Sequence, residues 1–321
     1  MTRPTQRVVA ITGGNGFIGR RLVQMHVAKG DRIRVLSRIG RGPSGWDSNV
    51  QNFVGDLVRD ADQLREFVDG ADVLYHCAGE FTNQRLMREL HVSGTQRLMD
   101  AAARRIGHWV HLSSVGIYGP RSSGVVDETT DFAPVGEYEI TKAQSESLLS
   151  RQAADRGFTY SILRPSIVFG ADMTNNSLRQ LVRVIDRGMF FFIGAPGANA
   201  PYVPVEEVAR ALWVCGIRPE ARNQAYNFSE NIRIEEFVGA IARALGHPLP
   251  RLRIARSVAR AAATIGKLFP GFALTHSRIE ALTSRAIYDS SKIRNELGFT
   301  LEMSIEQRLR AFVEQTQAIS R

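Results

Sequence analysis

Apolar runs and helix-spaced apolar positions alternate through the first half of the chain. Val8–Thr12 is a short apolar run that stops at Gly13-Gly14, the pattern of a buried strand. Phe17, Ile18, Leu22, Met25 and Ala28 then recur at helical spacing, and Gly30 closes that helix. Ile33–Ser37 reads as a second strand, Phe53-Val54 and Val73–His76 as two more, Trp109–Ser113 as a fifth and Tyr160–Arg164 as a sixth. Arg85–Arg104 and Gly136–Arg156 read as helices. Strands joined in this way predict a parallel sheet with helices on both faces. After Pro165 the regularity fades. Phe190–Ile193 reads as buried strand or loop, 195–201 as a loop, and the chain from about Ile232 as mostly helical. The pattern divides the chain into a domain over 5–170, to which 202–230 return, and a smaller second domain from 171–201 and 231–321.

Thr12-Gly13-Gly14-Asn15-Gly16-Phe17-Ile18-Gly19 follows the first strand and opens the first helix, with glycines at 13, 16 and 19. Glycine permits a tight turn and close backbone approach, and a helix N-terminus offers free N–H groups to a phosphate. The turn therefore predicts a dinucleotide site on a Rossmann-type doubly wound α/β sheet, with the second domain binding substrate. An acid after the second strand would favour NAD(H). Here Ser37-Arg38 stands there, with Arg41 close behind, and a guanidinium suits a 2′-phosphate. NADP(H) is the expected cofactor, with NAD(H) the alternative. Asp56, in Gly55-Asp56-Leu57 after the third strand, either accepts from the adenine amino group or simply ends the strand.

Composition adds charge to this picture. The chain has 321 residues, 44% of them hydrophobic, which excludes disorder for most of it. The net charge is +9, and the 41 basic residues are 37 arginines and 4 lysines. From Arg243 to Arg285 eight basic residues, Lys267 among them, face one acid, Glu280. Val258, Ala261, Ile265 and Leu268 form an apolar stripe there. It is read first as the packing face of a surface helix, then as part of a funnel for an anionic substrate or a peripheral membrane contact. No stacking platform accompanies the charge, so nucleic acid is not expected. Cys77 and Cys215 cannot build a disulfide framework, which points to a reduced, cytoplasmic setting. The polar Met1–Gln6 and the lack of any 18-residue apolar stretch predict neither signal peptide nor membrane span. His76, His108 and His111 lie on strand patterns and read as core or cofactor-adjacent. No metal site is expected, and no Gly-x-Ser-x-Gly elbow occurs.

Tyr138 and Lys142 stand four residues apart on a helical stretch and share one face. With so few lysines, the spacing is informative. A free tyrosine has a pKa of about 10, too high for a base at neutral pH. A nearby ammonium and a positively charged nicotinamide would lower it, so Tyr138 could exchange a proton with a substrate alcohol or ketone. Ser114 ends the fifth strand, where its hydroxyl could orient the substrate oxygen.

These stretches resemble the extended short-chain dehydrogenase/reductase family, in its NAD-dependent epimerase/dehydratase and 3β-hydroxysteroid dehydrogenase-like branch. The resemblance runs through 12–19, 55–57, 76–79, 113–119, 138–142 with Glu146, 163–170, 202–209 and 289–299, in the family's order. It implies that Ser114, Tyr138 and Lys142 are the catalytic triad and that Lys142 also holds the nicotinamide ribose. Gly13, Gly16, Phe17, Ile18, Gly19, Arg38, Asp56, Leu57, Ala78, Gly79 and Pro165 would surround the cofactor. Family members usually carry Asn where this chain has His91, and Asp where it has Glu207. His91 therefore either alters a proton path or simply packs. The expected function is an NADP(H)-dependent oxidoreductase interconverting a secondary alcohol and a ketone. A nucleotide-sugar epimerase or dehydratase with tightly bound NAD(P) and a non-catalytic NADP(H)-binding protein are the alternatives. The first alternative is weakened because 197–201 lacks an arginine to grip a diphosphate. The C-terminal third resembles steroid- and flavonol-reducing branches, which implies an apolar small-molecule substrate. The two long helices suit a homodimer.

Overall fold

The computed structural model describes residues 6–39, 48–59, 61–173, 176–266 and 274–320. Arg41, Lys267 and Leu268 lie outside them. The first half runs through β1 (Val8–Thr12), α1 (Gly19–Ala28), β2 (Arg32–Ser37), β3 (Val50–Val54), α2 (Ala61–Val68) and β4 (Ala71–His76). Next come α3 (Gln84–Arg88), α4 (Thr95–Ala102), β5 (Ile106–Leu112), β6 (Val125–Val126), α5 (Glu137–Gln152) and β7 (Thr159–Pro165). The second half adds β8 (Ile167–Phe169), α6 (Ser177–Asp186), β9 (Phe192–Ile193), β10 (Asn199–Pro204), α7 (Val205–Ile217), β11 (Gln224–Phe228) and β12 (Glu230–Arg233). It closes with α8 (Ile234–Ala244), β13 (Arg253–Ile254), α9 (Arg256–Gly266), α10 (His276–Thr283), β14 (Ile287–Tyr288), α11 (Ser291–Leu297) and α12 (Ile305–Ser320).

Seven strands form one sheet in the order β11-β7-β5-β4-β1-β2-β3, and every neighbouring pair is parallel. This is the doubly wound α/β architecture expected from the alternating pattern. Successive side chains leave a strand on opposite faces. Val9 and Ile11 of β1 pack with Leu22 and Val23 of α1 and Leu212 of α7. Ala10 packs on the other face with Leu64 and Phe67 of α2, Leu98 of α4 and Leu149 of α5. A separate core joins Phe169, Leu178, Val182, Phe237, Ile241, Leu309 and Phe312 from the second half.

Several expectations need correction. The stretch 85–104 is helical as expected, without interruption from 84 to 102, but its middle turn, Glu89–Gly94, is a wide π-helical one between α3 and α4. Tyr202–Pro204 does not return to the large sheet but pairs with β8 and β12 in a three-stranded one; α7 and β11 do pack on and join the large sheet. The stripe on α9 faces the wrong way. Val258 and Ile265 are 56% and 60% exposed, whereas Ala259 and Ala263 are buried against Ile279. Four of the eight basic residues of this stretch are paired in place. Arg243 meets Glu306 at 2.6 Å, Arg253 meets Glu235 at 2.8 Å, and Arg256 and Arg260 share Glu280. No helix among the described residues is long and apolar enough to cross a membrane.

Candidate active site

The strand order reverses between β1 and β4, and open α/β sheets take ligands in the crevice beyond such a reversal. The two strand ends are tied there. Cys77 N–H donates to Thr12 O at 3.2 Å and Ala78 N–H to Thr12 Oγ1 at 3.3 Å. The glycine turn fills the space above. Gly13 has φ +68°, and a Cβ on it would lie 2.6 Å from Ala78 N. A Cβ on Gly19 would strike Gly13 O. Larger residues at either place would push the turn off the strand. α1 begins without a side-chain cap, and among the described residues the N–H groups of Phe17 and Ile18 have no partner. Unpaired donors at a helix N-terminus fit a pyrophosphate. Only the backbones of Phe17 and Ile18 meet this space. The Phe17 ring packs toward Gly170 and the second core, and Ile18 packs into the first core.

At the end of β2, Ser37 Oγ receives Asn15 Nδ2 at 3.0 Å, which joins this strand to the glycine turn. Arg38 comes next, exposed and without an ion pair among the described residues. Asp56 Oδ1 accepts Val58 N–H at 2.7 Å and so closes its own turn. Leu57 is buried beside Gly94 at the head of α4.

The other wall comes from β5 and α5. Ser114 is the N-cap of a single 3-10 turn, Val115–Tyr118, and its Oγ accepts Gly116 N–H at 3.1 Å. A Cβ on Gly116 would meet both Ser114 Oγ and Glu139 of α5, so this turn sits against the first turn of α5. Tyr138 and Lys142 lie one helical turn apart on α5, as their spacing requires. Lys142 is 4% exposed and donates to Leu112 O at 2.8 Å. Burial lowers its pKa to about 8, against the opposing pull of Cys77 and Glu146. In the protein alone, burial and then Glu139 push the Tyr138 phenol up to about 12. Gly79 lies between the walls. A Cβ there would meet only His91 Nε2 at 3.5 Å and Lys142 Nζ at 3.7 Å.

Behind this wall lies a buried network that residue patterns alone do not reveal. Arg164 Nη2 donates to Glu146 Oε2 at 2.7 Å, and its Nη1 donates to Tyr118 Oη at 2.7 Å. Tyr118 in turn donates to Asn227 Oδ1 at 2.8 Å. Arg164 therefore ties β7 to α5, the Ser114 turn and β11 rather than facing a ligand, and Pro165 is buried beside it at the strand end. The placement of Glu146 four residues after Lys142, on the same helix face, is its one sequence signal. His76 bonds Thr12 at 2.7 Å and Thr95 at 3.0 Å, and burial holds its pKa well below the usual value. No cluster of three metal-binding side chains occurs among the described residues.

A glycine turn of this build at a β1–β4 reversal marks a dinucleotide-binding α/β enzyme. Sequence comparison narrows the class. The NAD dependent epimerase/dehydratase family matches residues 9–228, and the chain belongs to that family. It is an NAD(P)-dependent oxidoreductase of the short-chain dehydrogenase/reductase type. The chain is 26% identical to "3beta-hydroxysteroid-dehydrogenase/decarboxylase isoform 2" of Arabidopsis thaliana over 97% of its own length and 62% of that protein's. It is 29% identical to "Sterol demethylase protein B" of Methylococcus capsulatus, over 90% of this chain and 92% of that one. In fold it is similar to UDP-glucose 4-epimerase of Thermotoga maritima, solved with UDP-glucose. The TM-score is 0.74 at 18% identity, covering 98% of this chain and all of the other (100%).

Proposed function

We propose that this chain is an NADP(H)-dependent dehydrogenase or reductase that interconverts a secondary alcohol and a ketone on an apolar small molecule. One observation carries the reading. The Tyr138 hydroxyl has no hydrogen-bond partner among the described residues, while the Lys142 ammonium one turn away is buried and fixed on Leu112 O. When bound, the nicotinamide supplies or accepts the hydride. Tyr138 holds the proton exchanged with the substrate oxygen. Ser114 Oγ already accepts from Gly116, so its own proton is free to orient that oxygen. With cofactor bound, Lys142 and the nicotinamide charge together would favour the phenolate, and Lys142 would hold the nicotinamide ribose through its remaining N–H groups. The glycine turn, with the N–H groups of Phe17 and Ile18, would receive the pyrophosphate, and Ala78, Gly79 and Pro165 would border the ring.

The substrate class rests on two supports. The relatives named for steroid and sterol chemistry span this chain almost end to end. The segment that would grip a nucleotide diphosphate lacks arginine, and its Asn199 and Ala200 are buried. The nucleotide-sugar reading is favoured by the fold likeness to the epimerase, and product analysis separates the two. Net consumption of cofactor supports the first and redox-neutral conversion the second. Tyr138→Phe is expected to abolish turnover with cofactor affinity within about threefold of wild type, because one hydroxyl is lost from a site held mostly by backbone. Retained turnover would refute the role. Arg38→Ala is expected to weaken NADPH binding about tenfold to a hundredfold, the worth of a charge-assisted pair, and to leave NADH binding unchanged. Equal loss for both cofactors would refute the preference.

A further inference from the structure

His91 is 2% exposed, and nothing in the reaction above uses it. Its Nε2 lies 2.9 Å from Glu80 N, a group that can only donate, so Nε2 carries the lone pair. Its Nδ1 lies 2.8 Å from Thr141 Oγ1. The Thr141 hydroxyl points its own hydrogen at Glu137 O, 2.8 Å away, and so accepts from Nδ1–H. Both ring nitrogens are thus engaged, in one tautomer, between two different elements. The imidazole also meets the Tyr138 ring edge to face, with centroids 5.6 Å apart at 81°.

The two elements are the ones the reaction needs in register. Glu80 ends the cofactor-facing segment that begins at Ala78. Thr141 sits on α5 between Tyr138 and Lys142. Ala78 is anchored from the opposite side through Thr12, which in turn bonds His76 Nδ1. The Glu80 carboxylate anchors the start of the next loop by accepting the N–H groups of Phe81, Thr82 and Asn83 at 2.9, 2.8 and 3.2 Å. Gly79 spans the interval.

We infer that His91 is a positioning residue. As a neutral imidazole it clamps the end of the 78–80 segment to α5 at Thr141, and so sets the distance between the nicotinamide face and the Tyr138–Lys142 pair. The amide N–H of Glu80 gives up no proton to Nε2, so a relay through His91 has no entry from that side, and of the two sequence readings packing is the one this geometry supports. Burial first and Lys142 second hold its pKa down to about 3, against Glu80, which keeps the acceptor nitrogen available at working pH. The inference rests on the reading of Tyr138 as the acid–base group, but its test does not.

The test compares His91→Leu, which can serve neither neighbour, with His91→Asn, whose amide can accept from Glu80 and donate to Thr141. In the cofactor-free protein, amide exchange at Glu80 is expected to quicken about tenfold or more in H91L, the consequence of an N–H without its acceptor. NADPH and NADH dissociation constants, read from fluorescence, are expected to rise about tenfold in H91L, with kcat falling more than substrate KM changes. In H91N all of these are expected within about threefold of wild type. Thr141→Val cuts the same link from the other side and serves if H91L does not fold. Wild-type Glu80 protection or cofactor affinity in both H91L and T141V would overturn the clamp. So would equal losses in H91N and H91L, because ring volume alone would then matter. A wild type that reduces no ketone would remove the proposed reaction and leave the exchange and affinity results to decide the clamp.

Discussion

The Arg164–Glu146 pair offers the sharpest energetic test of how the site is supported. Their side chains are 6% and 2% exposed, and three N–H···O contacts join them, at 3.2, 3.1 and 2.7 Å. Glu146→Leu removes the acceptor and strands a guanidinium away from water, which costs about 3–5 kcal/mol. Arg164→Met strands the carboxylate instead, at a similar cost. The double variant strands neither. It still loses the Arg164–Tyr118 hydrogen bond, worth about 1 kcal/mol, and the cation–π contact with Phe132, worth about 0.5–2 kcal/mol. Tyr118 keeps Asn227 as its acceptor. The double variant is therefore expected to lose about 1–3 kcal/mol, well below the sum of the singles. Urea unfolding of the three variants against wild type, by linear extrapolation, measures the cycle. A Glu146→Leu cost under about 1 kcal/mol, or single costs that add to within about 0.5 kcal/mol, would refute the claim that the pair is buried and mutually dependent.

Two further predictions concern the fold. His108 is buried and bonded to Thr159 and Ser161, and burial with Arg222 lowers its pKa to about 4. The unfolded chain takes up that proton near pH 6.5 and the folded one does not, so stability is lost as pH falls from about 6.5 toward 4. His108→Gln should reduce the slope of unfolding free energy against pH in that window by about 1.4 kcal/mol per unit; an unchanged slope would contradict the assignment. On α9, Ile265→Asp should change stability by no more than about 0.5 kcal/mol, while Ala263→Leu should cost about 1–3 kcal/mol by overpacking. The reverse order would restore the stripe read from the sequence.

The parts of the fold that the sequence made legible are those in which one local pattern decides the structure. β1 and β4 are covered on both faces, so each shows as a largely apolar run. The four-residue step from Tyr138 to Lys142 fixes a shared helix face whatever surrounds it. Other parts depend on distant neighbours. α2 is short, and its buried Leu64, Phe67 and Val68 stand in a polar stretch. On α9, periodicity picks the wrong face because it favours the large residues, Val258 and Ile265. The surface this helix meets, around Ile193 and Ile279, is filled by Ala259 and Ala263. In the candidate site, the glycine turn is legible because Gly13 must adopt a positive φ. The hydrogen bonds of His91, Glu80 and Thr141 join residues far apart in the chain, and no spacing rule finds them.

The π-helical turn over Glu89–Gly94 makes this part of the molecule sensitive to counting. A regular helix advances about 100° per residue, so removing a single residue between 89 and 94 would let α3 and α4 fuse into one α-helix. A π turn bonds i to i+5 and so holds about one residue more than an α turn, and the repair would leave the faces of α3 and α4 nearly in phase. The change would fall on the turn itself, where His91 accepts from Glu80 N–H. A one-residue deletion here would therefore disturb the His91 contact while Leu98 and Met99 kept their place in the core under the sheet.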